Sequence, residues 1–337
     1  MKQPYVIGLD IGTSSIKGAL VDASGKRPPV TFRVPFRYET DETGKVEISA
    51  ESYLNCAYTA LRSLFSSLPE NGTLAGICAG SASGNALFLD SDHRAMTPIF
   101  NWQDTQTKAE ESDAVLGADF DLDAYYRSTG WGYDKRTFPL AVLCRYAVRN
   151  PAILREAGYF CMSTEYLYYN LTGSWGISTS AGTPFYLIDQ KTASYRNDIL
   201  ERFGLLLEQL PPVVPIGSVI GIVTEEASSL CGIPAGVPVI AGAFDHPSAA
   251  RGVGVLKPGQ MLLSCGTSWV GFYPIAEREL VEQNHMLIDP FLSEKGGPWA
   301  GMVSLASVSA RIEEYIRSSV ANEGNIYKQF ESYAKQS

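Results

Sequence analysis

Apolar residues alternate with small or polar ones across residues 5–10 (YVIGLD) and 18–22 (GALVD), a two-residue period that predicts two short strands. Gly12-Thr13-Ser14-Ser15 between them supplies turn chemistry, so the pair reads as a hairpin, and residues 30–37 continue it as a third strand. After Ser49 the period changes. Tyr53, Leu54, Ala57, Tyr58, Leu61, Leu64 and Phe65 recur at helical spacing, with Ser49 as cap and Pro69-Glu70-Asn71-Gly72 as terminator. Residues 74–79 read as a strand entering the Gly/Ser segment Gly80-Ser81-Ala82-Ser83-Gly84-Asn85, from which residues 86–89 return. Residues 103–175 read as mainly helical, with Pro151 near a helix start. A proline-rich connection (Pro211, Pro212, Pro215, Pro234) leads into an apolar strand at 237–244. Residues 259–273 again read strand–turn–strand, and 304–316 as a helix. The domain change is expected in or just after the 237–244 strand, giving domains 1–243 and 244–337.

The 337 residues allow roughly two domains of ordinary size. A hydrophobic share of 45% with 19% charged residues is a globular composition, neither disordered nor fibrous. The net charge of −9 argues against nucleic acid or an anionic membrane as partner. Six scattered cysteines without a C-x-x-C pair read as small buried hydrophobes of a reducing compartment. Asp10 interrupts the N-terminal apolar run too early for a secretory signal, and no stretch approaches bilayer-spanning length. The expectation is a soluble cytoplasmic protein, in which the sequons at Asn71 and Asn170 are accidental.

Gly-Thr-Ser occurs at 12–14 and again at 266–268, each time between β-rich runs. Such a hairpin tip offers main-chain N–H groups and hydroxyls without bulk, and successive N–H groups make an anion nest. Asp10 ends the strand beside the first tip, where a carboxylate can hold Mg2+ directly or through waters, and Lys17 adds positive charge. The alternative for either tip is an ordinary turn. A P-loop is excluded because G-x-x-x-x-G-K-[ST] is absent, and a Rossmann fingerprint because Gly8-x-x-x-Gly12 leads into a strand.

Asp245 follows the strand VPVIAGAF and precedes His246-Pro247-Ser248, which reads as a helix start. Carboxyl ends of strands are where open α/β sheets hold ligands, and a carboxylate there can take the proton of an attacking hydroxyl. Asp as a helix N-cap is the competing role, and the two are compatible. Asn101-Trp102-Gln103-Asp104 sets an aromatic face beside an amide and a carboxylate, which suits a polyhydroxylated ligand, though such a Trp can equally be packing. His93 and His285 lack partners at metal or triad spacing and read as surface or packing residues, whereas His246 adjoins Asp245.

These segments resemble the FGGY carbohydrate kinases, a family in the superfamily that includes actin. VIGLDIGTSSIKGALVD is similar to the family's first phosphate motif and LLSCGTSWVGF to its second. GAFDHPSAARGVGV resembles the segment bearing its catalytic Asp, GICAGSASGNALFLD with PIFNWQDTQ its sugar-contacting region, and STEYLYYNLTG a structural helix. The matches keep family order across nearly the whole chain. The resemblance implies an α/β fold, the actin-like ATPase (ribonuclease H-like) two-domain architecture, with ATP and Mg2+ in the cleft between domains. It makes Asp245 the general base and Asp10 the organiser of Mg2+. Thr13 and Ser14 would face phosphate from the first domain, and Gly266 and Thr267 from the second; Gly12 and Lys17 join the nucleotide-binding set through the turn chemistry and charge of the hairpin itself. Ser83, Gly84, Trp102 and Asp104 would line the sugar site, and His246 is counted with the substrate-binding residues because it adjoins Asp245. The expected partner is a small sugar or polyol, and a homodimer is allowed.

Two departures matter. Relatives of the xylulose kinase kind often carry bulkier or more polar residues at Ser81-Ala82-Ser83 and an Arg at Gln106, so the substrate does not transfer from any one of them. The family's later Gly-rich adenosine motif is missing, so the second domain is expected to be incomplete. A sugar-binding fragment or regulator without competent ATP binding is therefore the alternative to a kinase. A chaperone-like ATPase of the same superfamily is disfavoured by the sugar-region matches and the Asp245 context.

Overall fold

In the first strand, β1 (Gln3–Ile11), every second side chain is buried: Tyr5, Ile7, Leu9 and Ile11. β2 (Ser15–Asp22) runs back antiparallel with Ile16, Gly18 and Leu20 facing inward, and Asp10 sits opposite Lys17. The computed structural model describes residues 2–81, 84–265, 269–305, 308–320 and 324–335, without the side chains of Ser81 and Ala310. β3 (Val30–Pro35) extends the meander on β2. α1 (Ala50–Phe65) begins where Ser49 accepts the Ser52 N–H, the capping interaction the sequence predicts. It packs on the meander because Gly18 has no side chain; a Cβ there would lie 2.4 Å from Leu64 Cδ1.

β4 (Gly72–Ser81) pairs parallel to β1, and after the helical region β5 (Val219–Ile222) and β6 (Pro238–Phe244) complete a six-stranded sheet in the order β5-β6-β4-β1-β2-β3. β1, β4 and β6 are mutually parallel, so their carboxyl ends share one sheet edge. Between β4 and β5 lie α2 (Phe138–Arg149) and α3 (Ser163–Thr172), with the shorter helices Ala109–Leu116, Leu122–Thr129 and Pro151–Glu156.

Two readings need correction. Leu87–Leu89 does not return along β4; it pairs antiparallel with Tyr159–Cys161 in a separate two-stranded sheet. All three of its side chains are completely buried, and Phe88 packs against Phe160 and Tyr146. Ser304 and Leu305 end a strand, and the helix expected from residue 304 begins at Val308. His93 is a packing residue, stacked between Tyr159 and Tyr169 with ring centroids 3.9 and 3.7 Å away.

The chain divides into two compact units, Met1–Ser248 and Ala249–Ser337. The second contains an antiparallel sheet of β7 (Leu262–Cys265), β8 (Trp269–Ile275), β9 (Leu287–Asp289) and β10 (Trp299–Leu305), in the order β7-β8-β10-β9. Phe272, Ile288, Ala300 and Met302 form its buried side. Among the described residues no helix is long and apolar enough to cross a membrane.

α3 carries a buried acid into the first unit. Glu165 is fully enclosed, and no side chain among the described residues donates to its carboxyl; the main chain at Met162 and Glu165 lies close enough to oppose the effect of burial only in part. Burial pushes its pKa up to about 8, so it is protonated at neutral pH. The folded state therefore holds this proton more tightly than the unfolded chain. Its stabilising effect is complete below the ordinary carboxylate range and is lost as pH rises towards about 8. At about 1.4 kcal/mol per pKa unit, the loss is of the order of a few kcal/mol. The melting temperature should fall between about pH 5 and about pH 8.5 by this mechanism, and Glu165→Gln should flatten that slope. An unchanged slope in the variant would exclude Glu165 as its source.

Candidate active site

Asp10, near the end of β1, keeps 46% of its side chain exposed and forms an ion pair with Lys17 Nζ at 3.2 Å. The pair spans the hairpin because the register sets the two residues opposite one another. The turn is closed by the Gly12 N–H donating to the Ser15 carbonyl at 3.1 Å, with Thr13 half-buried and Ser14 exposed at the tip. A short polar tip flanked by one anion and one cation fits an anionic ligand with its counter-ion.

Asp245 follows β6 directly and opens the helix Asp245–Gly252. The registers align Asp10 with Gly80, and Ser81 with Phe244, so Asp10 and Asp245 arrive at the same sheet edge on either side of β4. Gly80 keeps that edge narrow: a Cβ would lie 3.3 Å from the Ala243 carbonyl oxygen. The His246 N–H donates to Asp245 Oδ1 at 2.7 Å, and His246 Nε2 lies 3.9 Å from the same oxygen. Although 35% of the Asp245 side-chain surface stays open, the surrounding protein withdraws solvent from the carboxyl and pushes its pKa up to about 6. His246 opposes the shift through charge and hydrogen bond, Asp10 adds to it by like charge, and Lys17 opposes it. Asp10, Lys17, Asp245 and His246 thus share one electrostatic environment.

An aromatic row adjoins this edge. Half-buried Trp102 stacks on Phe138, which stacks on Tyr186 at 4.8 Å. Trp131 meets Phe138, Tyr186 and Phe244 edge to face, and Phe244 meets His246. Phe138 and Tyr186 both have positive φ, 70° and 71°, in which a bulky residue is strained. Of these rings only Trp102 and His246 stand out in the sequence. Phe138 and Trp131 lacked a distinguishing pattern, except that Trp131 lies between Gly130 and Gly132.

Asp104 has another role. Its carboxylate is buried, ion-paired with Arg145 Nη1 at 2.6 Å, and accepts the Val46 N–H at 3.0 Å and Gln106 Nε2 at 2.7 Å. It therefore anchors the loop that carries Trp102 and presents no open oxygen, contrary to the expectation of a sugar-lining carboxylate. Gly84 is a close-packing position, since a Cβ would fall 1.9 Å from the Pro184 carbonyl oxygen. Ser83, Gly266 and Thr267 lie outside the described residues.

No group of three or more His, Cys, Asp or Glu suited to a metal occurs among the described residues. Mg2+ does not require one, since it commonly binds one or two carboxylates, waters and substrate phosphates. The half-exposed Asp10 beside the turn, with the Asp245 carboxylate close enough to feel its charge, fits such an ion.

Residues 5–252 match the N-terminal domain of the FGGY family of carbohydrate kinases, and the chain belongs to that family. It is similar to the autoinducer-2 kinases of Yersinia enterocolitica and Yersinia pestis, each 27% identical over 324 residues covering 90% of this chain and 56% of the relative. The chain thus spans little more than half the length of these curated relatives. Among solved structures, xylulose kinase from Rhodospirillum rubrum superposes with a TM-score of 0.87 at 25% identity, covering 98% of this chain and 67% of that one. Gluconate kinase from Lactobacillus acidophilus has the same fold, with a TM-score of 0.83 at 20% identity, covering 96% and 64%. The architecture is the actin-like ATPase, or ribonuclease H-like, α/β fold.

Proposed function

We propose that this protein transfers the γ-phosphoryl group of ATP to a hydroxyl of a small sugar, ketose or polyol, with Asp245 as general base. The observation that carries the reading is Asp245 at the shared strand edge, its pKa raised to about 6 beside Asp10 and Lys17. Such a carboxylate is mostly ionised at neutral pH yet basic enough to accept a proton. As the substrate oxygen attacks phosphorus, its proton passes to the Asp245 carboxylate, and the bond from phosphorus to the leaving ADP oxygen breaks. Phosphoryl transfer has a loose transition state, so most of the acceleration comes from positioning and charge. Main-chain N–H groups of the turn at Thr13 and Ser14 meet the phosphates, with Lys17 alongside, while the Gly12 N–H closes the turn on the Ser15 carbonyl. Asp10 would hold Mg2+, which supplies charge neutralisation on the phosphates.

Trp102 and the Phe138 ring offer apolar faces for the carbon skeleton of the acceptor, and His246 offers a polar edge. Residues 1–243 are assigned to the N-terminal FGGY domain and 244–337 to the C-terminal one. A cytoplasmic setting, where ATP is abundant, suits this chemistry. Relatives act on autoinducer-2, xylulose and gluconate by name, so these compounds head the panel in an assay of sugar-stimulated ADP release. Stimulation by at least one member is expected, and none across a broad panel would sink the proposal.

A further inference from the structure

β6 is irregular immediately before Asp245. Ala241 pairs with Ala79 and Phe244 with Ser81, so three steps along β6 span two along β4. On the other side of β6, ladder-like pairing ends at Ala241, which donates to the Ser218 carbonyl and accepts the Gly217 N–H. Gly242, Ala243 and Phe244 therefore leave a regular ladder while still in the interior, where unpaired main-chain groups are costly.

Side-chain hydroxyls take up those groups. Tyr168 Oη, on α3, accepts the Gly242 N–H and donates to the Ala79 carbonyl, both at 3.0 Å. Ser178 Oγ donates to the Gly242 carbonyl at 2.7 Å, and the Phe244 N–H donates to Ser180 Oγ at 3.4 Å. Ser248 Oγ donates to the Ala243 carbonyl at 3.3 Å. Glycine is required at 242, since a Cβ would lie 1.8 Å from the Ala79 carbonyl oxygen. Tyr168 thus clamps β4 and β6 where their ladder slips, using its hydroxyl as donor and acceptor at once.

We propose that Tyr168, with Ser178 and Ser180, is a positioning device that holds this bulge and thereby aims the Asp245 carboxyl; its catalytic consequence rests on the reading of Asp245 as base. Side chains alternate along a strand, so one inserted residue reverses the face of everything after it. Without the bulge, Asp245 would leave β6 towards the opposite face from the one it now takes. The hydroxyls make the inserted residue affordable only when each is satisfied, and Tyr168 is the member that ties two strands together.

Tyr168→Phe removes one oxygen and keeps the ring. Misplacement of a reacting group by about 1 Å can cost about 100-fold, so kcat for sugar phosphorylation should fall about 10–100-fold with the sugar KM little changed. Ser178→Ala should act in the same direction. A crystal structure of the Tyr168→Phe chain should have the Asp245 carboxyl displaced and the Gly242 ladder altered. A carboxyl superposing within about 0.5 Å of the parent position overturns the inference, and so does a kcat equal to that of the parent. If the parent protein phosphorylates no sugar, the base assignment fails separately, and the carboxyl position still decides whether Tyr168 aims Asp245.

Discussion

Asp245→Asn should lower sugar-dependent phosphoryl transfer by about 100- to 10,000-fold, while calorimetry finds sugar affinity near that of the parent. The substitution keeps size and the oxygen that accepts the His246 N–H, so the helix start and the β6 bulge retain their partners. It removes only the capacity to take a proton. Asparagine caps helices as well as aspartate does, so a purely capping residue would tolerate the change with near-normal kcat. Activity of the parent protein should also fall as pH drops through about 6, because burial raises the Asp245 pKa and the protonated carboxyl cannot act as base. That acid limb should disappear from the residual activity of the variant. A limb that persists unchanged would assign the titration to another group.

The second large effect concerns stability. Arg145→Ala should destabilise the first unit by about 3–5 kcal/mol, because it leaves the Asp104 carboxylate buried without its cation. Both side chains are almost completely enclosed, at 5% and 2% exposure, so water cannot replace the lost partner. The Arg145 guanidinium also lies over the Phe100 ring at 4.6 Å, a contact that alanine cannot supply. Denaturant melts should resolve the loss, and the double variant Arg145→Met with Asp104→Asn should recover part of it. A single variant as stable as the parent would show that the buried pair contributes nothing. Because Asp104 anchors the segment bearing Trp102, sugar affinity should weaken in the single variant too.

The local elements were legible because their signals are local. Alternation marked β1 and β2, and Ser49 with its helical apolar spacing marked α1. Asp245 was legible as a carboxylate after an apolar strand, and its proximity to Asp10 followed only from the strand order β6-β4-β1. Asp104 misled because its chemistry suits a sugar, whereas its occupant is Arg145, 41 residues away in sequence. The hydroxyls holding the bulge were invisible for the same reason. Tyr168 reads as a core aromatic of a structural helix, and nothing local links it to Gly242, 74 residues on. Leu87–Leu89 failed differently: three consecutive buried residues carry no period, so pairing with Tyr159–Cys161 could not be read.

Transfer of γ-phosphate from labelled ATP to a panel of sugars, ketoses and polyols, by the parent protein and by Asp245→Asn side by side, tests the central claim most directly. Label should appear on a sugar with the parent and be nearly lost with the variant. No labelled sugar from the parent, or equal label from both, would contradict it.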